Sequence, residues 1–222
     1  MTQAPAYSIR SLIHAYNRKV ALDIPQFDIP HGRICAFTGP NGSGKTTLLS
    51  ILALLLTPLS GSVRLDGVET VNKRNRLFRR KVTLVHQRPI LFSTTVRKNI
   101  AYGLRALGLR SKEVADRVQA ILEETRLSDV AGKHSRNLSG GEAQRVVLAR
   151  AMVLETPIIL LDEPTNSLDK ASKPLFADLL HAANQKRNAT IITATHDLNF
   201  VSLLTDWIIR LEGGKLIESS HY

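Results

Sequence analysis

Between residues 7 and 33 apolar and polar side chains alternate: Tyr7, Ile9, Ser11 and Ile13, then Leu22 and Ile24, then Phe27 and Ile29. Successive side chains of a strand point to opposite faces, so this rhythm predicts short antiparallel strands with one covered face. Asn17-Arg18-Lys19 and His31-Gly32 supply the turns. The alternation gives way at Ile34-Cys35-Ala36-Phe37, a continuous apolar run expected of a buried strand. From Thr46 to Leu56 the chain is apolar nearly all round, the pattern of a helix enclosed in a core. Val63 and Leu65 before Asp66-Gly67 predict a further strand and its bend, and Val82-Thr83-Leu84-Val85 another strand.

From about residue 93 to 155 the period becomes helical. Val114, Val118, Ile121 and Leu122 fall at i, i+4, i+7 and i+8, one stripe of an amphipathic helix. Ile158-Ile159-Leu160-Leu161 and Thr190-Ile191-Ile192-Thr193 return to continuous apolar runs, as in parallel strands covered on both faces. The predicted fold class is α/β, a core of buried strands with a helical insertion between Gln87 and Asp162. One domain is expected over 1–222. Its core and antiparallel sheet take about 1–92 and 156–222, and its helical part about 93–155.

Composition narrows the setting. At 222 residues and 43% hydrophobic content the chain suits one well-buried soluble domain. Its longest apolar stretch, Leu48 to Leu59, is interrupted by Ser50, Thr57 and Pro58 and falls short of the ~20 residues a bilayer demands. The start, Met1 to Tyr7, carries no basic head or apolar run, so no secretory signal is expected. The single cysteine, Cys35, has no internal partner and sits in an apolar run, which predicts a small buried hydrophobe in a reducing compartment. The net charge of +11 raises nucleic acid as a partner. The charge comes in short clusters, Lys73-Arg74-Asn75-Arg76 and Arg79-Arg80-Lys81, and aromatics are few at 5%. Stacking platforms for single strands are therefore not expected, and an anionic membrane surface fits better.

Candidate chemistry is concentrated in four places. Gly39-Pro40-Asn41-Gly42-Ser43-Gly44-Lys45-Thr46, with Thr47 behind it, matches the phosphate-binding loop in full. Its glycines let backbone N–H groups turn inward around phosphates, and the helix that follows aims its positive end at the same anions. Lys45 is expected on the β- and γ-phosphates and the Thr46 hydroxyl on Mg²⁺. Asp162-Glu163 ends an apolar strand at the sheet edge where ligands bind in open α/β folds. Taken alone, the pair could equally be an acidic helix start, with Pro164 in its first turn. Leu138-Ser139-Gly140-Gly141-Glu142 reads as a capping box, Ser139 and Glu142 being three apart before a helix-prone run. Gln87 after one strand and His196 after another complete the set. Alone, either would be an ordinary loop residue.

In this order the motifs resemble the ATP-binding subunit of an ABC transporter, Leu-Ser-Gly-Gly-Glu being that superfamily's fingerprint; the resemblance runs from about Tyr7 to Lys215. It implies a P-loop NTPase (RecA-like core) with a small antiparallel β subdomain and a helical signature subdomain. It implies ATP and Mg²⁺ as ligands, Asp162 and Gln87 beside Thr46 at the metal, and Glu163 as general base. His196 would contact the γ-phosphate and Tyr16 would stack on adenine. Ser139, Gly140, Gly141 and Glu142 would reach the ATP of an opposite subunit, with Asp169 in the loop that talks across the dimer. Asn166-Ser167-Leu168-Asp169 departs there from the commoner Ser-Ala-Leu-Asp, which touches fine cross-dimer geometry.

The partners implied are a second copy or a second ATP-binding subunit, transmembrane permease subunits and a separate solute-binding protein, with no nucleic acid. The location implied is the cytoplasmic face of the cell membrane. No membrane span is fused and little chain follows His196, which favours a bacterial importer subunit without an added regulatory domain. Gln87-Arg88-Pro89-Ile90-Leu91-Phe92 and Gly103-Leu104-Arg105-Ala106-Leu107-Gly108-Leu109 look similar to oxyanion-importer subunits, tungstate-type especially. The alternative is a soluble ABC-type ATPase serving a cytosolic assembly or nucleic-acid process.

Overall fold

A computed structural model describes residues 4–70, 78, 80–205 and 207–221. The basic cluster at 73–76 and Arg79 lie outside the described residues. Two sheets organise the described residues. Strands β1 (Tyr7–Tyr16), β2 (Lys19–Ile29), β4 (Ser60–Leu65) and β5 (Val68–Glu69) form an antiparallel sheet in the order β2-β1-β4-β5. Strands β3 (Ile34–Thr38), β6 (Val82–Val85), β7 (Ile158–Asp162), β8 (Thr190–Ala194), β9 (Trp207–Glu212) and β10 (Lys215–His221) form the second, in the order β10-β9-β3-β8-β7-β6. It is parallel from β9 to β6, and β10 closes it antiparallel. Strands β7 and β8 are buried at every position, which is why they read as unbroken apolar runs.

The hairpin between β1 and β2 is tighter than the predicted three-residue turn. Tyr16 pairs with Lys19, and Asn17 and Arg18 adopt φ of 47° and 67°, the twist of a two-residue type I′ connection. The alternation of β1 also slips. Ser11 takes φ 48° beside a register shift against β4, so Leu12 and His14 are buried and Ile13 turns outward. An extra residue on one strand flips every side chain beyond it, and the expected inward Ile13 is corrected on that ground.

Helix α1 (Lys45–Leu52) is also shorter than the predicted 46–56 span. Leu54 turns left-handed at φ 60°, and the N–H groups of Leu55 and Leu56 both donate to the Ser50 carbonyl. Leu55 and Leu59 are exposed, so the apolar composition beyond residue 52 does not mark a buried helical face. Between β6 and β7 come α2 (Val96–Ala106), α3 (Ser111–Glu124) and α4 (Gly140–Met152). Val114, Val118, Ile121 and Leu122 form the buried stripe of α3. Helices α5 (Ser172–Arg187) and α6 (Leu198–Leu204) cover the parallel sheet. Cys35 is fully buried in the core, and burial pushes its thiol up, away from reactive thiolate.

Candidate active site

The carboxyl ends of β3, β7 and β8 converge, and the loops leaving them build one site. After β3 the chain turns through Gly39 (φ 145°), Gly42 (φ 80°) and Gly44 (φ 108°) into α1, whose first residue is Lys45. A Cβ on Gly39 would lie 2.0 Å from the Leu211 carbonyl oxygen, and one on Gly44 2.6 Å from that of Ala21. Only glycine lets the loop lie this close to its neighbours. The Ser43 N–H donates to the Pro40 carbonyl at 3.2 Å, and the Gly214 N–H donates to the Ser43 carbonyl at 3.0 Å, holding the loop from the β9–β10 turn.

Lys45 is buried, and its ammonium donates to the carbonyls of Gly39 at 2.8 Å and Pro40 at 3.2 Å. It also lies 3.7 Å from Glu163 Oε1. The Thr46 hydroxyl donates to Asp162 Oδ1 at 3.2 Å. Burial raises the Asp162 carboxyl above its ordinary range, the Thr46 bond opposes that rise, and the neighbouring Glu163 charge adds to it. No helix starts at Pro164, so the pair is not an acidic helix start. Glu163 is buried with φ 45°, a costly conformation for a residue with a Cβ. Its Oε2 accepts hydrogen bonds from Thr195 Oγ1 at 3.0 Å and the His196 N–H at 3.4 Å, with His196 Nδ1 at 2.9 Å.

These groups border an open cavity of about 520 Å³, within the usual size of a ligand site. Of the predicted residues, Tyr16, Asn41, Gly42, Gly44, Lys45, Thr46, Thr47, Gln87, Glu163 and His196 line it. Gly39, Pro40, Ser43 and Asp162 do not line it; the Gly39 and Pro40 carbonyls hold Lys45, and Asp162 accepts from Thr46. Sequence reasoning missed Lys19, Val20, Ala21 and Asn166, which also line it. The two-residue turn after Tyr16 was the available signal for the first three, since it folds β2 back beside that ring.

Ser139, Gly140, Gly141, Glu142 and Asp169 do not line the cavity. Ser139 caps α4 with a complete capping box: its hydroxyl accepts from the Glu142 N–H at 3.2 Å, and its N–H donates to Glu142 Oε2 at 2.6 Å. That backbone bond, with Lys133 beside it, holds the Glu142 carboxyl below its usual range. Gly140 has a packing reason as well, because a Cβ there would lie 3.1 Å from the Ser167 carbonyl oxygen. Asp169 is exposed and accepts from the Ser172 N–H at 2.8 Å. Side-chain and backbone bonds from Ser172 lower its carboxyl.

A buried cation, a hydroxyl, two carboxylates and a glycine cradle at a helix start define a nucleotide-phosphate site. The family model described as ABC transporter matches residues 22–166. The chain belongs to that family, as an ATP-binding subunit with ATPase activity and a P-loop NTPase fold. It is 35% identical to a phosphate import ATP-binding protein of Natronomonas pharaonis, over 96% of this chain and 78% of that protein. It is 32% identical to the tungstate uptake system ATP-binding protein of Peptoclostridium acidaminophilum, over 97% of this chain and 98% of that one. An ATP-binding cassette solved as a dimer in a post-hydrolysis state with ADP and Pi superposes with a TM-score of 0.88 at 28% identity, covering 97% of this chain and 98% of the other. Among the described residues no helix is long and apolar enough to cross a membrane.

Proposed function

We propose that the chain is the ATP-hydrolysing motor subunit of a bacterial importer whose cargo is tungstate or a related inorganic oxyanion. Hydrolysis rests on one observation above the others: the Glu163 carboxylate is buried, strained in its backbone and held beside Lys45 at the cavity wall. Catalysis of phosphoryl transfer is mostly positioning and charge stabilisation. Lys45 would exchange the carbonyls of Gly39 and Pro40 for β- and γ-phosphate oxygens, and the α1 start would add its N–H groups. Glu163 would accept a hydrogen bond from the attacking water, with His196 and Gln87 beside it and Tyr16 under the base.

Thr46 and Asp162 offer a hydroxyl and a carboxylate already in contact. That hard-oxygen pair fits Mg²⁺, which keeps several waters and takes few protein ligands. The ion would neutralise charge on the phosphates.

Ser139, Gly140, Gly141, Glu142 and Asp169 would complete the site of a second copy, or of a related ATP-binding subunit. The dimeric post-hydrolysis cassette supports the pairing of two such chains. The helical part, residues 93–155, would dock permease subunits at the cytoplasmic face of the membrane. A groove of about 330 Å³ lined by Ile90, Phe92, Tyr102, Val147, Arg150 and Leu154 suits an apolar helix from such a partner. Support for import and for the oxyanion class comes from the two relatives named for phosphate import and tungstate uptake.

Glu163→Gln tests the hydrolytic reading. The variant is expected to bind ATP and Mg²⁺, lose at least ~100-fold in turnover, and accumulate as a dimer in light scattering. A monomer with near wild-type turnover sinks the assignment. Uptake of labelled tungstate and phosphate by vesicles carrying the assembled complex tests the cargo, and failure of both anions to move refutes the oxyanion class.

A further inference from the structure

We propose that Thr195 is a positioning residue for hydrolysis, fixing the Glu163 carboxylate through its buried hydroxyl. The proposal rests on the reading of Glu163 as the group that orients water. Thr195 follows β8 directly and is fully buried. Its N–H donates to the Phe37 carbonyl at 3.0 Å, which ties it to the end of β3, the strand that delivers the phosphate loop. A hydroxyl has one proton to give. Thr195 Oγ1 accepts from the Asp197 N–H at 3.1 Å, and that leaves its proton aimed at Glu163 Oε2, 3.0 Å away.

Of the other partners of the Glu163 side chain, the His196 N–H is a longer contact at 3.4 Å, and the Lys45 ammonium and the His196 ring have further tasks in the proposed reaction. Lys45 sits 3.7 Å from Oε1 and is committed to phosphate. His196 places Nδ1 2.9 Å from Oε2, but its side chain is 58% exposed and faces the cavity. When either group turns toward nucleotide, Glu163 loses a contact. Thr195 has no anion to serve and stays. A second rung parallels the first: Thr165 Oγ1 donates to Asp197 Oδ2 at 3.0 Å, and the Lys173 ammonium donates to the same oxygen. The loops after β7 and β8 are thus locked side by side, with Thr195 as the rung that reaches the carboxylate.

Thr195→Val removes the hydroxyl at nearly constant shape, and Thr195→Ser restores it. A hydrogen bond to a charged group lost from the transition-state arrangement lowers kcat by roughly 10- to 100-fold. The KM for ATP is expected to change by less than about 3-fold, because positioning of water is lost and ground-state binding is not. Thr195→Ser is expected to run at near wild-type kcat. Thr195→Ala provides the same comparison if the valine variant does not fold, as judged by thermal melting. A folded valine or alanine variant with wild-type kcat overturns the proposal. So does a serine variant as impaired as valine, or failure of all three to fold, since either makes the residue structural. Glu163→Gln run alongside separates the two readings. If it keeps its turnover, the Glu163 assignment fails; if it is inactive while Thr195→Val is fully active, only the Thr195 proposal fails.

Discussion

Ser139 carries two explanations that one pair of substitutions can separate. Its hydroxyl accepts from the Glu142 N–H at 3.2 Å within its own chain, and in the proposed dimer it would also face the phosphates held by the partner. Ser139→Ala removes the cap, at a cost of about 1 kcal/mol. For a domain of this size that lowers the melting temperature by roughly 2–4 °C. Aspartate caps helices about as well as serine and is favoured at a helix start. Its charge would face that of Glu142, but Lys133 lies 3.2 Å from the Glu142 carboxylate and offsets part of the repulsion. Ser139→Asp is therefore expected to melt closer to wild type than Ser139→Ala.

Hydrolysis is expected to rank the two variants the other way. A carboxylate about 4 Å from one phosphate charge is repelled by about 4 kcal/mol at an effective dielectric of 20. That corresponds to a loss of roughly 1,000-fold. ATP binding to the monomer is expected to be unaffected, because Ser139 does not line its own cavity. The assays are thermal melting, nucleotide titration at low protein concentration, and steady-state ATPase activity at high protein concentration. If Ser139→Asp is stable and hydrolyses ATP at the wild-type rate, the serine is a cap only and the trans arrangement is refuted.

Gly39→Ala is expected to lower both melting temperature and ATP affinity, the latter more than ~10-fold, because its Cβ would meet the Leu211 carbonyl oxygen at 2.0 Å and strained backbone adds to the clash; unchanged melting and nucleotide titration curves refute this. Phe92→Asp is expected to leave basal ATPase activity intact while breaking assembly with, or transport by, the membrane partner. Phe92 is half-exposed, 4.3 Å from the Tyr102 ring and beneath the Arg150 guanidinium, so a carboxylate there replaces the apolar lip of the groove. Co-purification and transport at wild-type levels would place the docking surface elsewhere.

What was legible in the sequence follows from how local the cause was. The phosphate loop, the acidic pair after β7 and the capped start of α4 could be located because glycine torsions, strand burial and capping act over a few residues. Ile13 was misplaced because the bulge at Ser11 is set by pairing with β4, far along the chain. The end of α1 was overrun because Leu54 to Leu56 are apolar, while the left-handed turn at Leu54 carries no composition signal. The start of β2 reaches the cavity through the tight turn after Tyr16 and through packing against α1, a contact distant along the chain. Thr195 was invisible for a different reason. A threonine after a strand is unremarked until its proton is traced to a carboxylate more than thirty residues upstream.

The loop after the acidic pair shows why function cannot be assigned to these segments one at a time. Asn166 lines the chain's own cavity, and the next residue, Ser167, lays its carbonyl oxygen over Gly140. Gly140 opens the helix that Ser139 caps, so the cavity wall and the signature turn are joined through adjacent residues of one short loop. The glycine at position 140 is accounted for by this contact. A side chain at Gly140 would push against backbone, and backbone yields only by moving Asn166 or the helix start. Stability and reactivity are therefore entangled at Gly140 in a way they are not at Ser139, where aspartate can keep the cap and change the charge. A loss of activity in a Gly140 variant would not distinguish a damaged own site from a damaged partner site. The serine next to it can make that distinction, because its hydroxyl is exposed and its cap can be replaced.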